Sequence, residues 1–280
     1  MRPQQEERIV PLDEQALRLF ADKGKEGGPG VPQAGDANAV KVRRVLQVTR
    51  DLSARPPEQL RVLDAGCGEG VYAIEIGLRR AHVVAFDARS ERMSRGAECA
   101  ERHGLSNVTF QLADIREVTA ETHGSFDVVL LLGILYHLDV PDVFRVLENA
   151  HGMCGEILVV DTFVSAGGGE LVEHRGERYE GQRVREHGDD DPPEVRRARL
   201  LRSIDNTFSF RFTRESLARL LGDVGFTSVF ECLAPREPLK PADRVTLVAL
   251  RGAPVQLSSY PWINGLSERQ IEHYLRQTGP

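Results

Sequence analysis

Apolar and polar positions fall into blocks along this chain, and the blocks change period in a regular way. Short apolar runs that close on a polar residue or a glycine occur at 60–65, 82–87, 107–112, 126–132 and 155–161, separated by stretches of helical composition at 70–80, 89–103 and 139–151. Near-continuous apolar runs of that length suit strands buried on both faces, and their alternation with helices predicts an α/β fold with a parallel, doubly wound sheet and right-handed crossovers. Two more strands follow at 226–233 and 244–250, after a helix that Thr213 caps and the glycines at 222 and 225 stop. Upstream, Leu12, Ala16, Leu17 and Phe20 outline a short helix at 11–21, and Val40, Val45, Leu46 and Val48 an amphipathic helix at 39–52 capped by Asp36 or Asn38. Between them, five glycines and two prolines at 23–35 read as a mobile loop. The tail carries Trp262 and a helix at 267–277.

The run at 61–70, Arg-Val-Leu-Asp-Ala-Gly-Cys-Gly-Glu-Gly, is where chemistry first shows. A buried strand passes into Gly66, Gly68 and Gly70, a turn whose Cβ-free backbone lets a ligand come close, with a helix to follow. About twenty residues later the next strand closes on Asp87, placed to accept hydrogen bonds from ribose hydroxyls. The glycine spacing departs from the dinucleotide pattern, because Val71 stands where its third glycine belongs. Asp64, just before the turn, would repel a pyrophosphate and hold an ammonium.

Asp64, Gly66, Cys67 and Gly68, then Asp87, then Ala113 and Asp114 resemble the first three motifs of the class I S-adenosylmethionine-dependent methyltransferases. That resemblance implies a Rossmann-like seven-stranded sheet with helices on both faces. It further implies S-adenosylmethionine (SAM) held by Asp64, Gly66, Cys67, Gly68, Asp87, Ala88, Ala113, Asp114, Ile115, Leu132 and Gly133. By the same resemblance Asp114 is the expected partner of the adenine amino group; the alternative, read from its position alone, is a helix cap or turn residue. After the fourth strand, Gly133-Ile-Leu-Tyr136-His137 is similar to a motif of the branch containing the tRNA wobble-uridine carboxymethyltransferases, which places Tyr136 and His137 near the transferred group.

The pattern breaks after the fifth strand. Ser165-Ala-Gly-Gly-Gly-Glu170 opens an insertion to about residue 207, read as two helical pieces about a turn at Asp189–Asp191 and Pro192-Pro193. It is dense in arginine within an otherwise acidic chain. A charge run is often a solvated face, yet guanidinium groups suit bidentate contacts with carboxylate or phosphate. The insertion is therefore expected to act as a lid that binds substrate through Arg178, Tyr179, Arg183, Arg185, His187 and Arg202, with Phe208 and Phe210 beside it. Aromatic faces could stabilise a cation formed by methylating an alkene, and Glu170 could remove the proton. These features, with a resemblance of residues 178–187 to bacterial isoprenyl diphosphate methyltransferases, favour C-methylation of a prenyl diphosphate in secondary metabolism, with Mg²⁺ screening the diphosphate. The catalytic set would be Glu170, His137 and Tyr136. The alternatives are O- or N-methylation of a carboxylated or aromatic natural product, tRNA modification, and a SAM-binding module without chemistry.

Composition narrows the partners. A formal charge of −6 in 280 residues argues against a nucleic-acid surface and favours a small-molecule substrate. The polar N-terminus lacks a signal-peptide core and no apolar run could span a bilayer, so the expectation is a cytoplasmic protein without membrane contact. Cysteines 67, 99, 154 and 232 are scattered, and no metal site is expected from them. The segments are then an N-terminal segment and cap helix (1–54), a SAM-binding core (55–164), the substrate lid (165–207), the completion of the core (208–252) and a tail (253–280) that packs on the domain or on a second copy of the chain.

Overall fold

A computed structural model of the chain describes residues 12–14, 16, 34–234, 237, 240–256 and 267–277. The glycine-rich loop at 23–35 lies almost wholly outside these residues, and Trp262 lies outside them too. The parallel strands are β1 (Arg61–Ala65), β2 (His82–Asp87), β3 (Val108–Leu112), β4 (Phe126–Leu132) and β5 (Cys154–Phe163), within two residues of the expected bounds. Later come β6 (Glu170–His174), β7 (Glu177–Arg185), β8 (Phe208–Phe212), β9 (Ser228–Glu231) and β10 (Arg244–Leu250). Seven strands form one sheet in the order β3-β2-β1-β4-β5-β10-β9, with β10 antiparallel to both neighbours.

The helices are α1 (Ala34–Leu52), α2 (Val71–Gly77), α3 (Ser90–Arg102), α4 (Ala120–His123), α5 (Asp142–Met153), α6 (Pro193–Ala198), α7 (Arg214–Asp223) and α8 (Glu268–Gln277). α1 starts earlier than its apolar pattern suggests, so Asp36 and Asn38 lie inside its first turns instead of capping it. Thr213 does cap α7, its hydroxyl accepting the Ser216 N–H.

The central strands are apolar on both faces because both faces are covered. On one side Val42 and Val45 of α1, Ile74 of α2 and Cys99 of α3 pack on Val62, Val128, Leu130 and Val159. On the other, Phe144 and Leu147 of α5 and Leu220 of α7 pack on Leu63, Val129, Leu131 and Leu158. Each fully buried Leu or Phe contributes about 1.5–3 kcal/mol. Parallel strands bring all their carboxyl ends to one rim, and the chemistry of the chain gathers there.

The insertion corrects the sequence reading. It is an antiparallel sheet, β6-β7-β8, with one short helix, α6, in place of two helical pieces. β6 and β7 turn through Arg175 and Gly176, both at positive φ (53° and 84°), as a two-residue hairpin requires. Phe208–Phe212 belongs to this small sheet, and Phe210, Phe212 and Tyr179 face the domain core with Phe144. No described helix is long and apolar enough to cross a membrane.

Candidate active site

The glycine turn leaves β1 with Gly66, Gly68 and Gly70 all at positive φ (74°, 55° and 74°). The N–H groups of Gly66 and Cys67 both donate to the Phe86 carbonyl at 2.9 Å, which pins the turn to β2. A Cβ on Gly70 would stand 2.5 Å from the Phe110 ring, and one on Gly68 2.7 Å from the Arg92 guanidinium. At Gly70 glycine is therefore required twice over, by backbone angle and by the Phe110 ring, and at Gly68 by backbone angle.

Two carboxylates flank the turn. Asp87, the last residue of β2, accepts the Gly68 N–H on one oxygen and the Arg89 N–H on the other, each at 2.9 Å. Asp64 is buried, and its Oδ2 has no hydrogen-bond partner among the described residues. Burial pushes the Asp64 carboxyl up to about 7, with the Ala73 N–H opposing and Asp87 adding to the rise. An orphaned buried acceptor beneath a glycine turn fits a cationic ligand group. The turn, the orphaned Asp64 oxygen and the strand-end Asp87 together fit the amino-acid and ribose parts of SAM.

Asp114 caps a turn. Its carboxylate accepts the Arg116 N–H at 2.9 Å, capping the short turn Ile115–Glu117, and pairs with the Arg116 side chain. Burial would raise it, but the Arg116 contacts outweigh that and hold it below the usual range. Ala113 extends the β3 ladder through an N–H to the Asp87 carbonyl, and Ile115 is buried beneath it. Ala88 follows Asp87 directly, and Leu132 and Gly133 end β4.

Gly133, at φ 86°, donates its N–H to the Asp161 carbonyl and opens the mouth of the site. Arg244 Nη2 and Tyr136 Oη lie 3.4 and 3.6 Å from the position a Cβ on Gly133 would take. Tyr136 packs edge-on to Phe163, with ring centroids 4.9 Å apart, and beside His137 at 4.3 Å. His137 Nδ1 is 3.2 Å from Glu186 Oε1. Glu186 is buried at the end of β7 and accepts the Ser203 N–H at 2.9 Å and the Ser209 hydroxyl at 3.0 Å. Burial would raise its carboxyl, but His137 and these donors outweigh that and keep it low, hence ionised. An ionised Glu186 fixes the proton of His137 on Nδ1 and leaves Nε2 as the proton acceptor.

The insertion crosses the strand ends. Arg89 donates to the carbonyls of Arg199, Arg202 and Ser203, Arg116 pairs with Asp205 at 2.8 Å, and Asn206 donates to the His137 carbonyl at 3.1 Å. A cleft of about 440 Å³ remains, lined by Glu186, Arg199, Leu200, Leu201 and Arg202.

Several residues expected to bind substrate are otherwise engaged. Arg183 pairs with both Asp139 and Glu170, so the Glu170 carboxylate has a cationic neighbour across the small sheet. Arg185 pairs with Asp189 and stacks over Phe208, and Arg202 donates to the Arg185 carbonyl. His187 is buried between Ser203 and Arg199. Tyr179 and Phe210 are core, the Tyr179 hydroxyl donating to Asp223, and Arg178 is exposed on the hairpin. Among the described residues no cluster of three or more His, Cys, Asp and Glu side chains is placed to hold a metal, so Mg²⁺ finds no support. Sequence reasoning missed Glu186, Arg211 and Arg244, and the motif at 133–137 was the nearest signal to them.

The strand order, the glycine turn and the two carboxylates carry the class, and comparison with known proteins agrees: residues 57–172 match a family described as "Methyltransferase domain". This region is similar to methyltransferase domains, and its strand order is that of the class I fold. A ubiquinone biosynthesis O-methyltransferase of Methylocella silvestris is 38% identical over 104 residues, 36% of this chain and 40% of that protein. A 23S rRNA (uracil(1939)-C(5))-methyltransferase of Klebsiella pneumoniae is 43% identical over 84 residues, 29% of this chain and 19% of that protein. The methyltransferase domain thus accounts for the likeness, and the chain spans less than half the length of either relative. Among solved structures, the N-terminal domain of EvdMO1, crystallised in the presence of S-adenosylhomocysteine (SAH) and D-fucose, is similar at a TM-score of 0.61 and 20% identity. The match covers 84% of this chain and 95% of that one and establishes the shared fold.

Proposed function

We propose that this protein is a SAM-dependent O-methyltransferase of a small molecule, with His137 as the base that takes the acceptor proton. The observation that carries the reading is the His137–Glu186 pair beside the Gly133 mouth, within the domain whose glycine turn and Asp64 suit SAM. The relatives' names span O-methylation and rRNA C-methylation, so they support methyl transfer more firmly than any acceptor. The prenyl diphosphate reading is the weaker one, because Arg183 is paired with Glu170 and Arg185 with Asp189, and the relatives' names point elsewhere.

Asp64 would hold the ammonium of SAM, and Asp87, which keeps free lone pairs, its ribose hydroxyls. Bound there, SAM supplies a methyl group on a positively charged sulfur, already a good leaving group. The chain then has two tasks, to hold the acceptor hydroxyl in line and to receive its proton as the O–CH₃ bond forms. Nε2 of His137 receives it, and the ionised Glu186 stabilises the resulting imidazolium, as a carboxylate behind a catalytic histidine does. The insertion, stitched to the strand ends through Arg89, Arg116 and Asn206, keeps water out while this happens.

The test is SAH formation with a panel of hydroxylated aromatic and aliphatic acceptors. His137→Gln should lower kcat by about 10²-fold at unchanged SAM affinity, the usual size of a general-base contribution, and Glu186→Gln should lower it less. Full activity in His137→Gln would overturn the assignment.

A further inference from the structure

We infer that Arg211 is the anchor for a carboxylate on the acceptor. This rests on the O-methyltransferase reading and names the substrate class of the same site. β8 alternates, with Phe210 and Phe212 turned to the core and Ser209 and Arg211 to the opposite face. Ser209 on that face holds Glu186 and through it His137, so Arg211 looks onto the reaction side of the insertion. Its guanidinium carbon lies 5.0 Å from the Phe163 ring centroid and 6.0 Å from that of Tyr136. Arg244 approaches the same two rings at 5.0 and 5.6 Å.

The two arginines differ in what neutralises them. Arg244 pairs with Asp161 at 2.5 Å, and Asp161 also faces Lys41 at 3.0 Å and Lys240 at 4.0 Å. Asp161 thus serves Arg244 and Lys41, and Lys240 sits closer to Glu237 at 3.2 Å, so these carboxylates are already engaged before Arg211 is reached. Arg211 forms no ion pair among the described residues, and its buried Nε–H has no acceptor. A buried guanidinium N–H without an acceptor is costly, and its fork matches a carboxylate in bidentate fashion. Phe163 and Tyr136 beside it offer a flat apolar wall suited to an aromatic ring. The acceptor is therefore a carboxylated aromatic. Its carboxylate, neutralised by Arg211, is a poor nucleophile and serves as the handle, while a separate hydroxyl oxygen takes the methyl group near His137.

The experiment is calorimetric binding of para-hydroxybenzoate and para-hydroxycinnamate, each beside its methyl ester, to the full-length protein saturated with SAH. The acids should bind at least about tenfold more tightly than the esters, the size of one charge-assisted hydrogen-bonded pair. Arg211→Gln should remove that preference at unchanged SAH affinity, and Arg211→Lys should restore part of it. Equal binding of acid and ester, or an acid preference that survives in Arg211→Gln, would overturn the anchor. Absence of SAH binding would instead remove the methyltransferase reading on which the anchor depends, so the two failures are distinguishable.

Discussion

Asp64 is the residue at which the cofactor site touches stability. Its carboxyl stands at about 7 in the fold against 3.8 in the open chain, chiefly through burial. A raised acid pKa means that the folded state holds the proton longer, so the stabilising contribution is complete below pH about 4 and lost as pH rises through about 7. Asp64→Asn should therefore raise the thermal midpoint of the ligand-free protein at pH about 8 and change it little at pH about 4. An equal change at both values would contradict the assignment. Asp64, the glycines and Asp87 could be found from spacing alone, because a backbone at positive φ restricts the residue types that can stand there. Glu186 and Arg211 could not. Their meaning lies in burial and in the partner each has or lacks, and among the many charges of 170–212 the sequence alone does not separate a paired arginine from an unpaired one.

At the scale of elements, the insertion was misread because its strands alternate charged with apolar or small residues instead of showing an apolar run. Tyr179, Gly181 and Phe210 face inward while arginines and glutamates crowd the rest, a composition shared by solvated helices. The hairpin turn, Arg175-Gly176, was a visible signal, since a residue pair ending in glycine between alternating stretches suits a two-residue loop. The consequence concerns Glu170, which lies on β6 paired to Arg183 across the small sheet. Glu170→Gln should leave steady-state turnover within about twofold, as removal of a partly exposed ion pair is worth about 1 kcal/mol or less. Loss of turnover with substrate and SAH binding intact would return Glu170 to the role of base.

On the scale of the whole molecule, six strands running one way and an antiparallel β10 bring one rim of the sheet under the insertion. Most of this was legible, because strands buried on both faces leave continuous apolar runs and each crossover needs a helix. The return of residues 208–212 to the insertion sheet was not legible, since their partners are 23 or more residues away in β7 and nothing local records the pairing. The central claim is that this fold carries SAM on the 66–70 turn with Asp64 beneath its ammonium. Titration calorimetry of the wild-type protein and Asp64→Asn with SAM, at pH about 6 in buffers of different ionisation enthalpy, tests it most directly. The account predicts single-site binding with net proton release in the wild type, and an affinity at least about tenfold weaker without proton release in Asp64→Asn, as expected when a charge-assisted contact is lost. Absence of binding to the wild type, or equal affinity and proton release in both proteins, would contradict it.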